Sequence, residues 1–221
     1  MSLSLNLTAV PPCHGIYTVK GIPFKSMPPR MLFLAPDAAV AFATVAEWAV
    51  VSDMFRSPES SLQAVRDGRG AMPPGYSAHN YGLAIDIDIA ATMKNLGMKA
   101  KAALDEWMAS FGWYCHRRDH VIASEAWHYN YLGVGATVAG ALTSDEIEAA
   151  IVKRYGAELA PDDAECQRLL AKLGMYGGDP DGIIGPKSRE AVRAFERAWG
   201  INADGVLDAK TRRTLAFVAR E

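Results

Sequence analysis

Two stretches near the end of the chain, DGIIGPKSREAV (181–192) and DGVLDAKTRRTL (204–215), align as D-G-h-h-x-x-K-[ST]-R-x-x-h, with h apolar. A repeat this short holds one turn and one helix per copy, and neither copy can bury an apolar face alone. Each therefore reads as a turn at Asp-Gly, two apolar anchors and a helix. With the preceding ECQRLLAKLGMY, the pattern predicts a three-helix unit over 164–221. Its expected core is Leu169, Leu170, Leu173, Val192, Phe195, Leu215 and Val218.

The rest of the chain mixes element types. Roughly the first 35 residues are rich in Pro and Gly and read as loops or short strands. A helix is predicted over 37–50, with Asp37 as its cap after Pro36. VVSDMF (50–55) reads as a short strand, PESSLQAVRDG as a helix stopping at Gly68, and GRGAMPPGYS as turns. Helical spacing returns over 92–110, and TSDEIEAAIVKRYG opens with a Thr/Ser cap and an acidic first turn. AELAPDD (157–163) reads as a linker.

Between these elements lies SAHNYGLAIDIDIA. Leu83, Ile85, Ile87 and Ile89 alternate with Ala84, Asp86 and Asp88, the period of a strand with one apolar face. The other face would project two carboxylates side by side, where repulsion and desolvation are costly. Either these are a solvated strand end or a cation lies beside them. Further on, SEAWHYNY places Glu125 three residues before His128. Residues three apart meet on a turn but not along a straight strand. A strand is predicted from about Trp127, with Glu125 in the preceding bend. His79, Asp86 and His128 together supply three nitrogen or oxygen donors, the number a catalytic zinc site uses while leaving a position for water. Glu125 would then be free to take a proton from that water.

The pattern S-x-H-x-x-G-x-A-x-D followed by E-x-W-H resembles that of the zinc D-alanyl-D-alanine carboxypeptidase and L-alanyl-D-glutamate endopeptidase family of cell-wall enzymes. It is carried by Ser77, His79, Gly82, Ala84, Asp86, Glu125, Trp127 and His128, and FRSPESSLQA resembles a further family segment through Arg56 and Gln63. The resemblance implies that His79, Asp86 and His128 bind Zn2+ and that Glu125 is the general acid/base. Arg56 would polarise the scissile carbonyl and stabilise the oxyanion. Ser77, Gln63, Asp88 and Trp127 are expected around the site or against substrate, and Tyr76 is a further candidate for the cleft. The C-terminal repeat resembles the small three-helix peptidoglycan-binding domain of many wall hydrolases. The expected fold is α+β, a small antiparallel sheet with flanking helices, followed by a small all-α three-helix domain. The corresponding division is 1–142 for the peptidase, 143–163 for a helix and linker, and 164–221 for the wall-binding domain.

Other features limit the alternatives. The 221 residues suffice for one or two domains, and a net charge of −2 lacks the basic excess of a nucleic-acid binder. Cys13, Cys115 and Cys166 form no disulfide framework or paired zinc-ligand spacing, which points to a reducing place of synthesis. Cys13 with His14, and Cys115 with His116 and His120, therefore read as buried thiols and solvated histidines rather than a second site. Ser77 lacks a G-x-S-x-G elbow, and HExxH is absent from the chain. MLFLAPDAAVAFATVAEWAV is broken by Pro36, Asp37 and Glu47, so a buried helix is expected there and not a membrane span. MSLSLNLTAVPPC carries no signal-peptide pattern. The expectation is a monomeric peptidoglycan hydrolase made in the cytoplasm. It would cut the L-alanyl-D-glutamate bond of the stem peptide as a phage endolysin released through a holin-type lesion. A bacterial D-alanyl-D-alanine carboxypeptidase comes second, and a non-catalytic wall-binding protein third.

Overall fold

The computed structural model describes residues 3, 5–11, 14–19, 22–26, 31–68, 72–115, 125–136 and 143–220, with 14–19 and 22–26 as backbone only. Cys13, His116 and His120 lie outside the described residues. The chain forms two compact units, one of residues 6–56 and 78–150, the other of residues 1–5, 57–77 and 151–221.

The first unit is built on short antiparallel strands. These are β1 (Thr8–Ala9), β2 (His14–Val19), β3 (Ile22–Ser26), β4 (Phe33–Leu34), β5 (Val51–Asp53), β6 (Ala84–Ile87), β7 (Trp113–Cys115) and β8 (His128–Tyr131). β1 pairs with β4, β2 with β3, and the other four form one sheet in the order β5-β6-β8-β7. Opposed residues share a face, and neighbours along a strand alternate. Ile85 lies across from Tyr129, so both belong to one face, whereas Asp86 lies across from His128 and Ala84 from Asn130 on the other. Helices α1 (Pro36–Val45), α3 (Ile89–Leu96) and α4 (Lys101–Ser110) belong to this unit and α5 (Ser144–Tyr155) begins in it, whereas α2 (Pro58–Arg66) falls in the other.

α4 covers the apolar face of the sheet. Leu104 and Met108 are fully buried there, as are Ile85, Trp113 and Tyr129. The Tyr129 hydroxyl, at the edge of this layer, donates to Asp105 Oδ1 at 2.6 Å and accepts from Lys101 Nζ at 2.9 Å. A buried phenol is thereby satisfied by the same helix that buries its ring. The polar face is left to the site.

Three sequence expectations are refined here. The strand through GLAIDIDIA stops at Ile87, because Asp88 caps α3 by accepting the Ala91 N–H at 2.9 Å. The two carboxylates are therefore not side by side on one strand face. The helical spacing over 92–110 is divided between α3 and α4, with the break following Gly97. The helix expected over 37–50 stops at Val45. The cap at 143 does form, since Thr143 Oγ1 accepts the Glu146 N–H and Glu146 Oε2 accepts the Thr143 N–H.

In the second unit, α6 (Asp163–Lys172), α7 (Pro186–Ala198) and α8 (Ala209–Val218) enclose the expected core. Leu169, Leu170, Val192, Phe195 and Leu215 are buried, and Leu173 and Val218 are half-buried around them. The segment before His79 also belongs to this unit. Arg213 Nε donates to the Gly75 carbonyl at 2.5 Å, Thr214 Oγ1 donates to that of Pro74 at 3.2 Å, and the Arg213 guanidinium lies 4.4 Å from the Tyr76 ring.

The two repeats close in the same way. Buried Gln167 accepts the Gly182 N–H through Oε1 at 2.7 Å, and its Nε2 donates to Ser188 Oγ at 3.0 Å. Buried Glu196 accepts the Gly205 N–H at 2.8 Å and the Thr211 hydroxyl at 3.1 Å. Asp181 and Asp204 each accept the N–H two residues on, at 2.9 and 2.8 Å. A Cβ at Gly205 would stand 2.9 Å from the Arg189 carbonyl oxygen, so the turn there requires glycine. The first apolar position after each Asp-Gly is not an anchor. Ile183 and Val206 are 70% and 50% exposed, and Ile184 and Leu207 behind them are half-buried.

Burial raises the Glu196 carboxyl above its ordinary value, although the bonds from Gly205 and Thr211 pull the other way. The folded state thus holds a proton that the unfolded chain has already lost. Its stability falls as pH rises from the ordinary glutamate range through the raised value. Glu196→Gln reproduces the Gln167 arrangement and should keep the fold while flattening this fall. Glu196→Ala leaves two buried donors unpaired and should cost about 1–3 kcal/mol. Thermal unfolding of the full chain from pH 4 to 8 measures both.

Candidate metal centre

Asp86 and His128 meet because their strands pair in register, which places the two side chains on one face. His79 comes from a 3₁₀ turn (Ala78–Tyr81) directly before β6. The chain then reverses at Gly82, whose φ is +65°. A Cβ there would stand 2.6 Å from the Ala35 nitrogen and 2.9 Å from the Leu34 carbonyl carbon. The glycine of the motif is thus required by a left-handed backbone and a close passing strand.

The three donor atoms form a small triangle. His79 Nε2 lies 3.2 Å from Asp86 Oδ1 and 3.1 Å from His128 Nδ1, and His128 Nδ1 lies 2.8 Å from Asp86 Oδ1. The far nitrogen of His79, Nδ1, is against the Met54 carbonyl. A carbonyl only accepts, so His79 carries its proton on Nδ1 and turns a lone pair toward Asp86. Two acceptors at that separation repel unless positive charge lies between them. Atoms bound 2.0–2.1 Å from a tetrahedral zinc stand roughly 3.3 Å apart, close to the spacing of this triangle. The donor set of two imidazoles and one carboxylate also suits that ion. Among the described residues, this is the one group of His, Cys, Asp and Glu side chains arranged to hold a metal.

The carboxylate and the imidazoles also shift one another's titration. Burial alone would raise the Asp86 carboxyl, but His79 and His128 outweigh it and hold it well below the usual carboxylate range. Burial also opposes charging of His128, yet Asp86, then Glu125 and Asn130, raise its pKa above the ordinary histidine value.

Glu125 sits in a turn closed by the His128 N–H donating to the Glu125 carbonyl at 2.9 Å. Of the two geometries open for this pair in the sequence, the local backbone is the turned one. Arg56 lies just beyond β5. Its Nη2 donates to Asp53 Oδ2 at 2.5 Å, and Asp53 Oδ1 accepts the Met54 N–H at 2.9 Å. The Arg56 N–H donates to the His79 carbonyl at 3.1 Å, and Asn80 Nδ2 donates to the Arg56 carbonyl at 2.8 Å. Trp127 is 44% exposed beside His128, while its carbonyl accepts the Ile87 N–H. Gln63 is exposed on α2 and donates to Asp67 at 2.7 Å, and Ser77 is half-buried. The Asp88 carboxylate is engaged as the cap of α3.

Three participants were not anticipated from sequence: Asp53, the Met54 carbonyl and Asn130, whose Oδ1 lies 3.0 Å from His128 Nε2. Asn130 had a readable signal, since residues two apart on a strand share a face. A β-bulge in β5 sets Asp53 across from Asp86, and Arg56 neutralises it there. A backbone carbonyl leaves no trace in residue type.

Comparison with known proteins bears out both resemblances. Residues 53–134 match the D-alanyl-D-alanine carboxypeptidase family, and residues 160–215 match the peptidoglycan binding domain family. The N-acetylmuramoyl-L-alanine amidase CwlM of Mycobacterium tuberculosis is 37% identical over 67 residues, 30% of this chain and 16% of that protein. The localization factor PodJL of Caulobacter vibrioides is 41% identical over 54 residues, 24% of this chain and 6% of that protein. The chain thus spans a small fraction of these relatives. A solved structure of the LdcB LD-carboxypeptidase, described as revealing the basis of peptidoglycan recognition, aligns over 69% of this chain and 75% of its own. Its sequence identity is 12% and its TM-score 0.38.

Asp86→Ala removes the oxygen donor and leaves two imidazoles. Metal content after dialysis against zinc should fall from one ion per chain to near none. Zinc is expected to raise the thermal midpoint of the wild type and to leave that of Asp86→Ala unchanged.

Proposed function

We infer that this protein is a zinc-dependent peptidoglycan hydrolase that cuts the stem peptide, most favourably at the L-alanyl-D-glutamate bond. The observation that carries the reading is the triangle of His79, Asp86 and His128, with Glu125 in the adjoining turn. In this reading residues 1–142 form the peptidase, 143–163 a helix and linker, and 164–221 the domain that holds the enzyme on the wall. Tethering raises the local concentration of enzyme around its polymeric substrate without any new contact at the site.

His79, Asp86 and His128 would hold the ion, which when bound supplies Lewis-acid chemistry at the scissile amide. Glu125 accepts the proton of the attacking water and passes it to the departing amine nitrogen, so that amide hydrolysis balances as one carboxylate and one amine. Arg56, paired with Asp53, would stabilise the oxygen on which negative charge develops. Trp127 provides an apolar surface beside the reacting centre. Asp88 stays with α3.

The family matched by residues 53–134 favours a second reading, D-alanyl-D-alanine carboxypeptidase, which would use the same constellation. Both readings have peptidoglycan as partner and the wall compartment as place of action. No described helix is long and apolar enough to cross a membrane. The endolysin role is the delivery half of the proposal. Expression inside bacteria should lyse them only when a holin is co-expressed; lysis without one would remove that half.

A digest of purified peptidoglycan, with and without chelator, tests the chemistry by mass spectrometry. New L-alanine carboxyl and D-glutamate amine ends, lost with chelator and restored by zinc, are expected. Release of single D-alanine would transfer the enzyme to the carboxypeptidase reading. Sedimentation with the wall but no cleavage would leave a binding protein. Glu125→Ala should keep zinc and wall sedimentation while turnover falls about 10²–10⁴-fold; unchanged turnover would take Glu125 out of the mechanism.

A further inference from the structure

We propose that Asn130 is a positioning residue that makes His128 offer Nδ1, not Nε2, to the metal. The inference rests on the reading of His79, Asp86 and His128 as metal ligands. Asn130 follows His128 by two residues on β8, so both side chains stand on the same face of the sheet. It is 1% exposed, and its Oδ1 lies 3.0 Å from His128 Nε2. An amide oxygen only accepts, so Nε2 carries the proton and Nδ1 keeps its lone pair. That lone pair points into the triangle, 2.8 Å from Asp86 Oδ1 and 3.1 Å from His79 Nε2.

The two histidines therefore present opposite nitrogens. His79 is held at Nδ1 by the Met54 carbonyl and offers Nε2, whereas His128 is held at Nε2 by Asn130 and offers Nδ1. Each outer partner selects the tautomer its ligand needs. For His128 the selection is contested. Asp86 Oδ1 is also an acceptor, and it sits against the nitrogen that must stay bare. Without the amide, the best hydrogen bond left to a neutral His128 is Nδ1–H to Asp86. That would put a proton where the metal belongs. Asn130 competes with Asp86 for this proton and draws it to the far side of the ring.

A second observation separates this from a packing role. Asn130 Nδ2 is buried, with no hydrogen-bond partner in the structure. Its cross-strand neighbours at this level are Ala84 and Tyr114, both buried. An apolar side chain of similar volume would suit such surroundings better, because it would leave no donor unpaired. The asparagine is thus accounted for by what its oxygen does at His128 better than by packing.

Zinc competition against a chromophoric chelator, on the full chain, is the first test. Asn130→Leu should bind zinc about 10–100-fold more weakly, while the thermal midpoint of the metal-stripped protein stays level or rises. Asn130→Asp, which retains an acceptor, should bind close to wild type. The second test needs no variant. In the cadmium-loaded, nitrogen-labelled wild type, metal–nitrogen coupling should appear at Nδ1 of His128 and Nε2 of His79. Wild-type affinity in Asn130→Leu, or coupling at Nε2 of His128, overturns the proposal. If Asn130→Leu fails to fold, the coupling decides alone. Wild-type protein that takes up neither metal would overturn the ligand assignment, and this inference with it.

Discussion

The antiparallel register of β6 against β8 is the constraint on which the site depends. It sets Asp86 across from His128, and a slip of one strand by one residue would turn its side chain to the opposite face from its partner. What resists that slip is apolar packing. Ile85 and Tyr129, opposed one step along the same ladder, are fully buried under α4, so a slip of either strand would carry its buried residue to the polar face. The hydrophobic effect on one side of the sheet thereby sets the spacing of charged donors on the other. His79 depends on the same frame through β5, since the Met54 carbonyl that holds it follows directly on that strand.

The helical unit is organised by a different principle. Its core is apolar, but each turn that joins its helices is closed by one buried polar side chain reaching a backbone N–H and a hydroxyl. Such closures tolerate little misplacement, because an unmade bond inside the protein costs more than a made one contributes. They give a small domain a definite shape that a handful of leucines would leave looser.

Much of this was legible in the residues. The period-2 alternation located β6, the Asp-Gly repeat located two turns and two helices, and five of seven expected core positions are buried. The two motifs named the three donors that meet. What was not legible has physical causes. Asp88 continued the alternation, but a carboxylate can cap a helix as well as extend a strand, and only the bond to Ala91 distinguishes them. The apolar spacing over 92–110 continued across Gly97, which hid the break between α3 and α4. Ile183 and Val206 read as anchors because they are aliphatic, yet the turn geometry directs them outward. The Met54 carbonyl was beyond reach, as every residue carries one.

The paired closures of the helical unit differ in one respect. Gln167 and Glu196 occupy the same role on successive helices, one neutral and one ionisable, and they lie 29 positions apart where the turns they serve lie 23 apart. For this pair, what the two copies share is a hydrogen-bonding pattern, while residue type and offset differ. One turn is therefore held by a side chain indifferent to acidity and the other by one that answers to it, so the two joints of a single small domain need not loosen together.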